Sequence, residues 1–249
     1  MNMTIRKVLA GLSVFGLAMG LALPAAAKVT WTGTLVGTSD YKFRGISQSD
    51  NDPAIQGSFE VGYEGWFIGT WMSSIDFATD PGADIEIDLY GGYTHSFNDD
   101  TSLTGKVLYY VYPGANTPDA DYLELIASLD HNFGKFSGNL QLAYTPDYFG
   151  GTDSAVWLGG GLELPINDWL SMSANAGYQW FDNNFGPAPN VGLRDYGHGD
   201  IGLTATWDIA ALDLRYVVTD LDDADCFGGS TTCSSKVVLT LTLTKGSED

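Results

Sequence analysis

The sequence is poor in positive charge. Its 249 residues hold 11 Lys and Arg against 31 Asp and Glu, a formal net charge of −20. That balance excludes nucleic acid as a partner, because binding it relies on basic side chains that neutralise phosphates. Cysteine is nearly absent: Cys226 and Cys233 are the only two, too few without a nearby His for a zinc site. Histidine is as scarce, at three residues, which leaves little for acid–base or nucleophilic catalysis. Only 6 of the 31 acids are Glu; the remainder are Asp, a residue of turns and loops rather than helices. Glycine and aromatics, by contrast, are plentiful, with 31 Gly and 13% Phe, Trp and Tyr. Acidic disordered segments are aromatic-poor, so the composition describes a folded, turn-rich, mostly β protein.

The N-terminus reads as an export signal. Arg6 and Lys7 precede an uncharged run over 8–23, and Pro24-Ala25-Ala26-Ala27 follows. A basic start, an apolar core and an A-x-A ending describe a cleavable signal peptide over 1–27, with the alternative of a membrane anchor disfavoured by the short core. Cleavage there removes two bases and no acid, so the mature chain, 28–249, carries a charge of −22. Export permits disulfides, and a loop disulfide between Cys226 and Cys233 is expected ahead of a metal site.

No later stretch approaches the roughly 20 apolar residues of a spanning helix. A bilayer is also crossed by closed barrels, whose strands of about 9–11 residues alternate apolar-out and polar-in. Read two residues at a time, the mature chain holds twelve such runs. The first sets Val29, Trp31, Leu35, Tyr41 and Phe43 against Thr30, Thr32, Thr34, Asp40, Lys42 and Arg44. Later ones set Ile85, Ile87 and Leu89 against Glu86 and Asp88, or Leu212, Leu214 and Tyr216 against Asp213 and Arg215. Over Trp66–Ile75 both parities are apolar and the facing is ambiguous.

Two regularities favour a membrane barrel over a water-soluble sandwich. Asp, Glu, Lys and Arg are excluded from the apolar parity of all twelve runs, as expected where a basic residue facing mid-bilayer costs about 2–4 kcal/mol. The connections also alternate in length. Turns of two to four residues at 64–65, 98–101, 134–135, 165–168 and 208–211 alternate with longer stretches near 45–53, 76–83, 113–121, 145–153, 181–194 and 219–235. Short periplasmic turns and long extracellular loops are the arrangement of outer-membrane barrels. Aromatics cluster beside both sets of connections, with Tyr41, Phe43, Tyr109, Tyr112, Tyr144, Tyr178, Trp180 and Tyr196 towards the long loops, as two interfacial girdles would. The expected fold is an all-β, antiparallel, up-and-down transmembrane barrel of about 12 strands.

The segment Ser39-Asp40-Tyr41-Lys42-Phe43-Arg44-Gly45-Ile46-Ser47-Gln48-Ser49 resembles the opening of the TorF-type porin family of Gram-negative bacteria. Gly69-Thr70-Trp71-Met72-Ser73-Ser74-Ile75-Asp76-Phe77, then Glu86–Tyr93, then Tyr109-Tyr110-Val111-Tyr112-Pro113-Gly114 continue the likeness in order. The resemblance implies an exported outer-membrane barrel of porin type, in contact with outer-membrane lipid and lipopolysaccharide, and it brings no catalytic residues. One departure stands out. The last strand is followed by Gly246-Ser247-Glu248-Asp249, whereas outer-membrane barrels commonly end on an aromatic residue.

The polar parity supplies the candidate lumen: the acids Glu60, Glu86, Asp88, Glu124, Glu163, Asp200 and Asp213 and the bases Lys42, Arg44, Lys106 and Arg215. An acidic excess favours cations in a water-filled pore, so passive diffusion of small cationic or neutral solutes is expected. The alternative is a non-conducting barrel closed by paired charges and by Tyr90, Tyr110 and Trp157, with acidic loops for binding or structure. Eight strands are filled by side chains and 16–18 leave a channel, so twelve is intermediate. No cofactor is expected: Gly159-Gly160-Gly161 sits inside a strand, so it is no phosphate-binding loop. Nor is a metal site, since Asp222-Asp223-Ala224-Asp225 lacks the Gly and Glu of a calcium loop. His198 has no Ser motif beside it, and no enzyme activity is expected.

Overall fold

The computed structural model describes residues 29–77, 80, 82–182 and 193–247; the expected signal segment lies outside them. Among the described residues fourteen strands follow one another: β1 (Thr30–Thr38), β2 (Lys42–Phe43), β3 (Ile46–Ser47), β4 (Ala54–Tyr63), β5 (Trp66–Ser74), β6 (Ile85–Ser96), β7 (Thr101–Val111), β8 (Tyr122–Asn132), β9 (Ser137–Thr145), β10 (Ala155–Pro165), β11 (Leu170–Phe181), β12 (Tyr196–Trp207), β13 (Ala210–Thr219) and β14 (Lys236–Gly246). Twelve of them close into an antiparallel barrel in which β4 to β14 pair in chain order and β1 joins β14 to β4. Closure leaves no strand edge unpaired, which a bilayer requires. β2 and β3 form a separate hairpin. The wall strands run nine to twelve residues, long enough to span. Among the described residues no helix is long and apolar enough to cross a membrane.

The alternation sorts side chains as a lipid-embedded barrel demands. Every wall strand turns apolar residues outward, among them Ile55, Ile68, Leu89, Leu140, Ile201, Leu214 and Leu239. Ile68 and Ile55 are 70% and 69% exposed to the outside. A belt of this size is a lipid-facing surface, since soluble monomers rarely expose apolar patches beyond a few hundred Å². The ambiguous run resolves cleanly: Trp66, Ile68 and Met72 face out, while Phe67 and Ser73 are buried inside.

Tight turns at 64–65, 97–100, 133–136, 166–169 and 208–209 form one rim, and longer connections form the other. The aromatics beside the short turns, Trp31, Tyr63, Trp66, Phe97, Phe133, Phe136, Trp169 and Trp207, are exposed on the outer face.

Two expectations require correction. The first strand does not continue to Arg44: β1 ends at Thr38, and residues 39–53 fold into the barrel as the β2–β3 hairpin. A hairpin strand has the same period of two as a wall strand, so alternation continues through the bend without marking it. The long-loop girdle is accordingly only half a girdle. Tyr109, Tyr144 and Trp180 face outward, whereas Tyr41, Phe43, Tyr112 and Tyr196 are buried inside, Tyr41 to 1% exposure.

Candidate functional site

The hairpin divides the interior. Thr38 Oγ1 donates to the Asp40 carbonyl at 2.8 Å as the chain leaves the wall. Asp40 then accepts from Ser47 Oγ (2.6 Å) and meets Lys42 Nζ at 3.3 Å and Lys236 Nζ at 3.7 Å. The tip, Arg44-Gly45, has positive φ at both residues, 47° and 86°, the conformation of a two-residue hairpin turn that favours Asn or Gly over Arg at its first position. Gly45 is fitted to its place: a Cβ there would lie 2.6 Å from Thr219 Cγ2 and 2.9 Å from His198 Cβ. The tip therefore abuts β12 and β13.

Arg44 reaches the far wall. Its Nη2 donates to both carboxylate oxygens of Glu124 on β8 at 2.8 and 2.9 Å, and its Nη1 donates to Gln179 Oε1 on β11 at 2.9 Å. Round the ring β8 stands five strands from β1 in one direction and β11 four in the other, so the contact spans the lumen. The guanidinium carbon sits 4.7 Å from the Phe43 ring centre and 4.9 Å from that of Trp157. Tyr110 donates its hydroxyl to the same Glu124 at 3.1 Å. Trp157 donates Nε1–H to His198 Nε2 at 2.8 Å. A Cβ on Gly177 would lie 2.7 Å from each of those two nitrogens, so glycine at 177 makes room for the flat ring.

Aromatic packing closes the long-loop side of the hairpin. Tyr41, Phe43, Ile75, Tyr110, Tyr112 and Tyr122 form one buried cluster with Trp71, Phe77, Tyr148 and Phe149 against it. On the other flank Ile46 packs with Leu193, Tyr196, Leu221 and the Cys226–Cys233 disulfide. The disulfide loop also accepts two hydrogen bonds at the Thr232 carbonyl, from Ser47 N and Lys42 Nζ, each at 2.9 Å. Removing the cross-link by Cys226→Ser and Cys233→Ser should cost about 2 kcal/mol for a loop this short. We expect faster proteolysis within both 220–235 and 39–53.

A second tie joins two long loops outside the spanning strands. Asp80 accepts from Asn116 N (2.9 Å), Asn116 Nδ2 (3.0 Å) and Thr117 N (2.7 Å). Burial pushes this carboxyl up, but the donors of Asn116 and Thr117 outweigh it and hold the group well below the usual range. A depressed carboxylate stabilises above its ordinary pKa of about 3.9 and loses that contribution as pH falls towards its folded value. Asp80→Asn should thus loosen the 75–84 and 112–121 loops at neutral pH, with the difference from wild type shrinking below about pH 4 in a proteolysis series.

Below the hairpin lies a cavity of ≈ 410 Å³; a second, of ≈ 100 Å³, lies on the long-loop side, and Phe43 is the one described residue lining both. Ten of the eleven expected lumen residues line the larger cavity: Lys42, Arg44, Glu60, Asp88, Lys106, Glu124, Glu163, Asp200, Asp213 and Arg215. Glu86 instead lines the smaller one and accepts from Tyr41 Oη at 3.3 Å. Lys42 and Arg44 reach the interior from the hairpin and not from the wall. Asp40 and Asp130 complete the charged lining of the larger cavity, and Gln179 joins the interior set as a partner of Arg44. The charge pairs invisible in the sequence are Arg44 with Glu124, Lys42 with Asp40, and Arg215 with Asp200 and Asp213. Arg215 also donates to Ser173 Oγ at 2.7 Å, and Thr204 Oγ1 donates to Asp213 at 2.7 Å. Eight carboxylates and four bases border this cavity. Among the described residues no group of three or more His, Cys, Asp or Glu is arranged to hold a metal ion.

A family model described as "Bacterial protein of unknown function (Gcw_chp)" matches residues 22–245. The chain belongs to the Gcw_chp family. No curated protein matches it. Among solved structures, the KdgM porin is similar at a TM-score of 0.56 and 7% identity, over 86% of this chain and 98% of that one. The NanC porin is similar at 0.54 and 10%, over 89% and 100%. At such identities the likeness is one of fold, so this Gcw_chp protein shares the barrel architecture of porins.

Proposed function

We propose that this Gcw_chp protein is an outer-membrane porin of the TorF type, exported by the 1–27 signal and folded over 28–249 as a passive channel for small cationic or neutral solutes. The observation that carries the reading is the ≈ 410 Å³ cavity inside a lipid-facing barrel, bordered by twice as many carboxylates as bases. Acidic walls raise the local concentration of cations and lower that of anions. The Arg44 guanidinium stands across the path between hairpin and far wall, where it sets the width available to a solute. Lipid and lipopolysaccharide are the proposed partners of the outer face and rims. The similarity to the KdgM and NanC porins supports a channel by analogy of fold.

A second reading, a barrel that does not conduct, draws on the aromatic cluster that packs the long-loop side of the hairpin. Single-channel recording in planar bilayers separates the two. The porin reading expects discrete conductance steps from protein whose mobility on a detergent gel is heat-modifiable. Folded protein that gives no steps at any voltage would leave the non-conducting reading in place.

A further inference from the structure

The contacts around Arg44 have the composition of a ligand site rather than of a wall. The two terminal nitrogens of the guanidinium meet acceptors on two strands, Nη2 both oxygens of Glu124 and Nη1 the carbonyl oxygen of Gln179, while its carbon lies over two aromatic rings, a planar two-nitrogen complement that a point-charge cation does not reproduce. With Arg44 in place Glu124 and Gln179 are each only 1% exposed, so the guanidinium covers two wall residues that border the lumen. The guanidinium is not part of that wall. It arrives on a hairpin tip whose backbone is held at φ 47°, a conformation that disfavours Arg and persists only where surrounding contacts impose it.

The geometry points to a guanidinium-binding seat formed by Glu124, Gln179 and Trp157, which Arg44 fills as a tethered mimic of the solute. Solutes bearing a guanidinium group compete with Arg44 for the seat, and their binding is linked to release of the hairpin. This rests on the porin reading for its role in transport, but the binding itself does not. Lys106, whose ammonium lies 5.5 Å from the Tyr90 ring centre, is another cation lining this cavity, and a compact ammonium does not reproduce the planar fork. When Arg44 leaves, Glu124 keeps the Tyr110 hydroxyl but loses its ion-pair partner. A buried carboxylate so exposed to loss of its ion pair draws in whichever cation fits.

The test is rescue of Arg44→Ala by guanidinium chloride in detergent micelles, followed by thermal melting. Millimolar guanidinium should raise the melting midpoint of R44A and leave wild type and the R44A/E124Q double variant unmoved, with potassium chloride at equal ionic strength as the baseline. Tetramethylammonium, which has no N–H to donate, should bind roughly tenfold more weakly or worse. If R44A does not assemble, Arg44→Lys keeps a cation on the tip without the fork, and guanidinium should still raise its midpoint. Equal responses to guanidinium and potassium in both variants would overturn the seat. The two readings fail separately: a midpoint shift without conductance removes the porin, and conductance without a shift removes the seat.

Discussion

Replacing Glu124 by alanine should release the hairpin from the far wall and widen the lumen. The pair it breaks is buried, with side-chain exposures of 7% for Arg44 and 2% for Glu124. Removing one partner of such a pair leaves an uncompensated charge and costs about 3–5 kcal/mol. Three contacts soften the loss, since Gln179 and the two rings still hold the guanidinium. The cost falls on docking of residues 39–53 and not on the wall, whose strands pair independently of the hairpin. Limited proteolysis should therefore cut within 39–53 many times faster than in wild type while the barrel stays heat-modifiable. Single-channel conductance should rise in the same variant. Wild-type protection of the hairpin in Glu124→Ala would mean that its remaining contacts hold it without the ion pair.

The second large effect lies on the opposite face of the wall. Ile201 is the sixth of the twelve residues of β12 and is 51% exposed outward. Arginine there would place a charge at the bilayer midplane, at a cost of about 2–4 kcal/mol. Asn139, on β9 and lining the larger cavity, offers the matched control, because lysine at a wetted lumen position should cost close to nothing. Urea unfolding in lipid vesicles measures both. A soluble sandwich would reverse the pattern, tolerating a charge at an exposed Ile201 and resisting one inside.

The wall was legible because a bilayer reads sequence with period two. Leu212, Leu214 and Tyr216 face out and Asp213 and Arg215 face in, as their alternation requires. Only Trp66–Ile75 is ambiguous, since Phe67 and Trp71 are apolar residues that line the interior in place of polar ones. The hairpin was hidden for a different reason. Lys42, Phe43 and Arg44 keep the alternation of β1, and what bends the chain after Thr38 is long-range: Asp40 held by Lys236, and Arg44 held by Glu124 and Gln179. No local signal carries partners 80 and 135 positions away. One trace of it was present. The segment 39–49, on which the family resemblance begins, is the stretch that forms the hairpin, and Trp71, Ile75, Phe77, Tyr110 and Tyr112 from the following motifs gather around it. Gly45 is also a residue that the interior of an uninterrupted strand disfavours.

The most direct measurement of the central claim is a reversal potential across a planar bilayer holding many channels in a potassium chloride gradient. A lumen bordered by eight carboxylates and four bases should pass potassium in preference to chloride, so the current reverses at a potential of the sign set by cation flow down the gradient. Lowering the pH far enough to protonate the lumen carboxylates should move that potential towards zero. A reversal potential of the opposite sign at neutral pH would contradict the account.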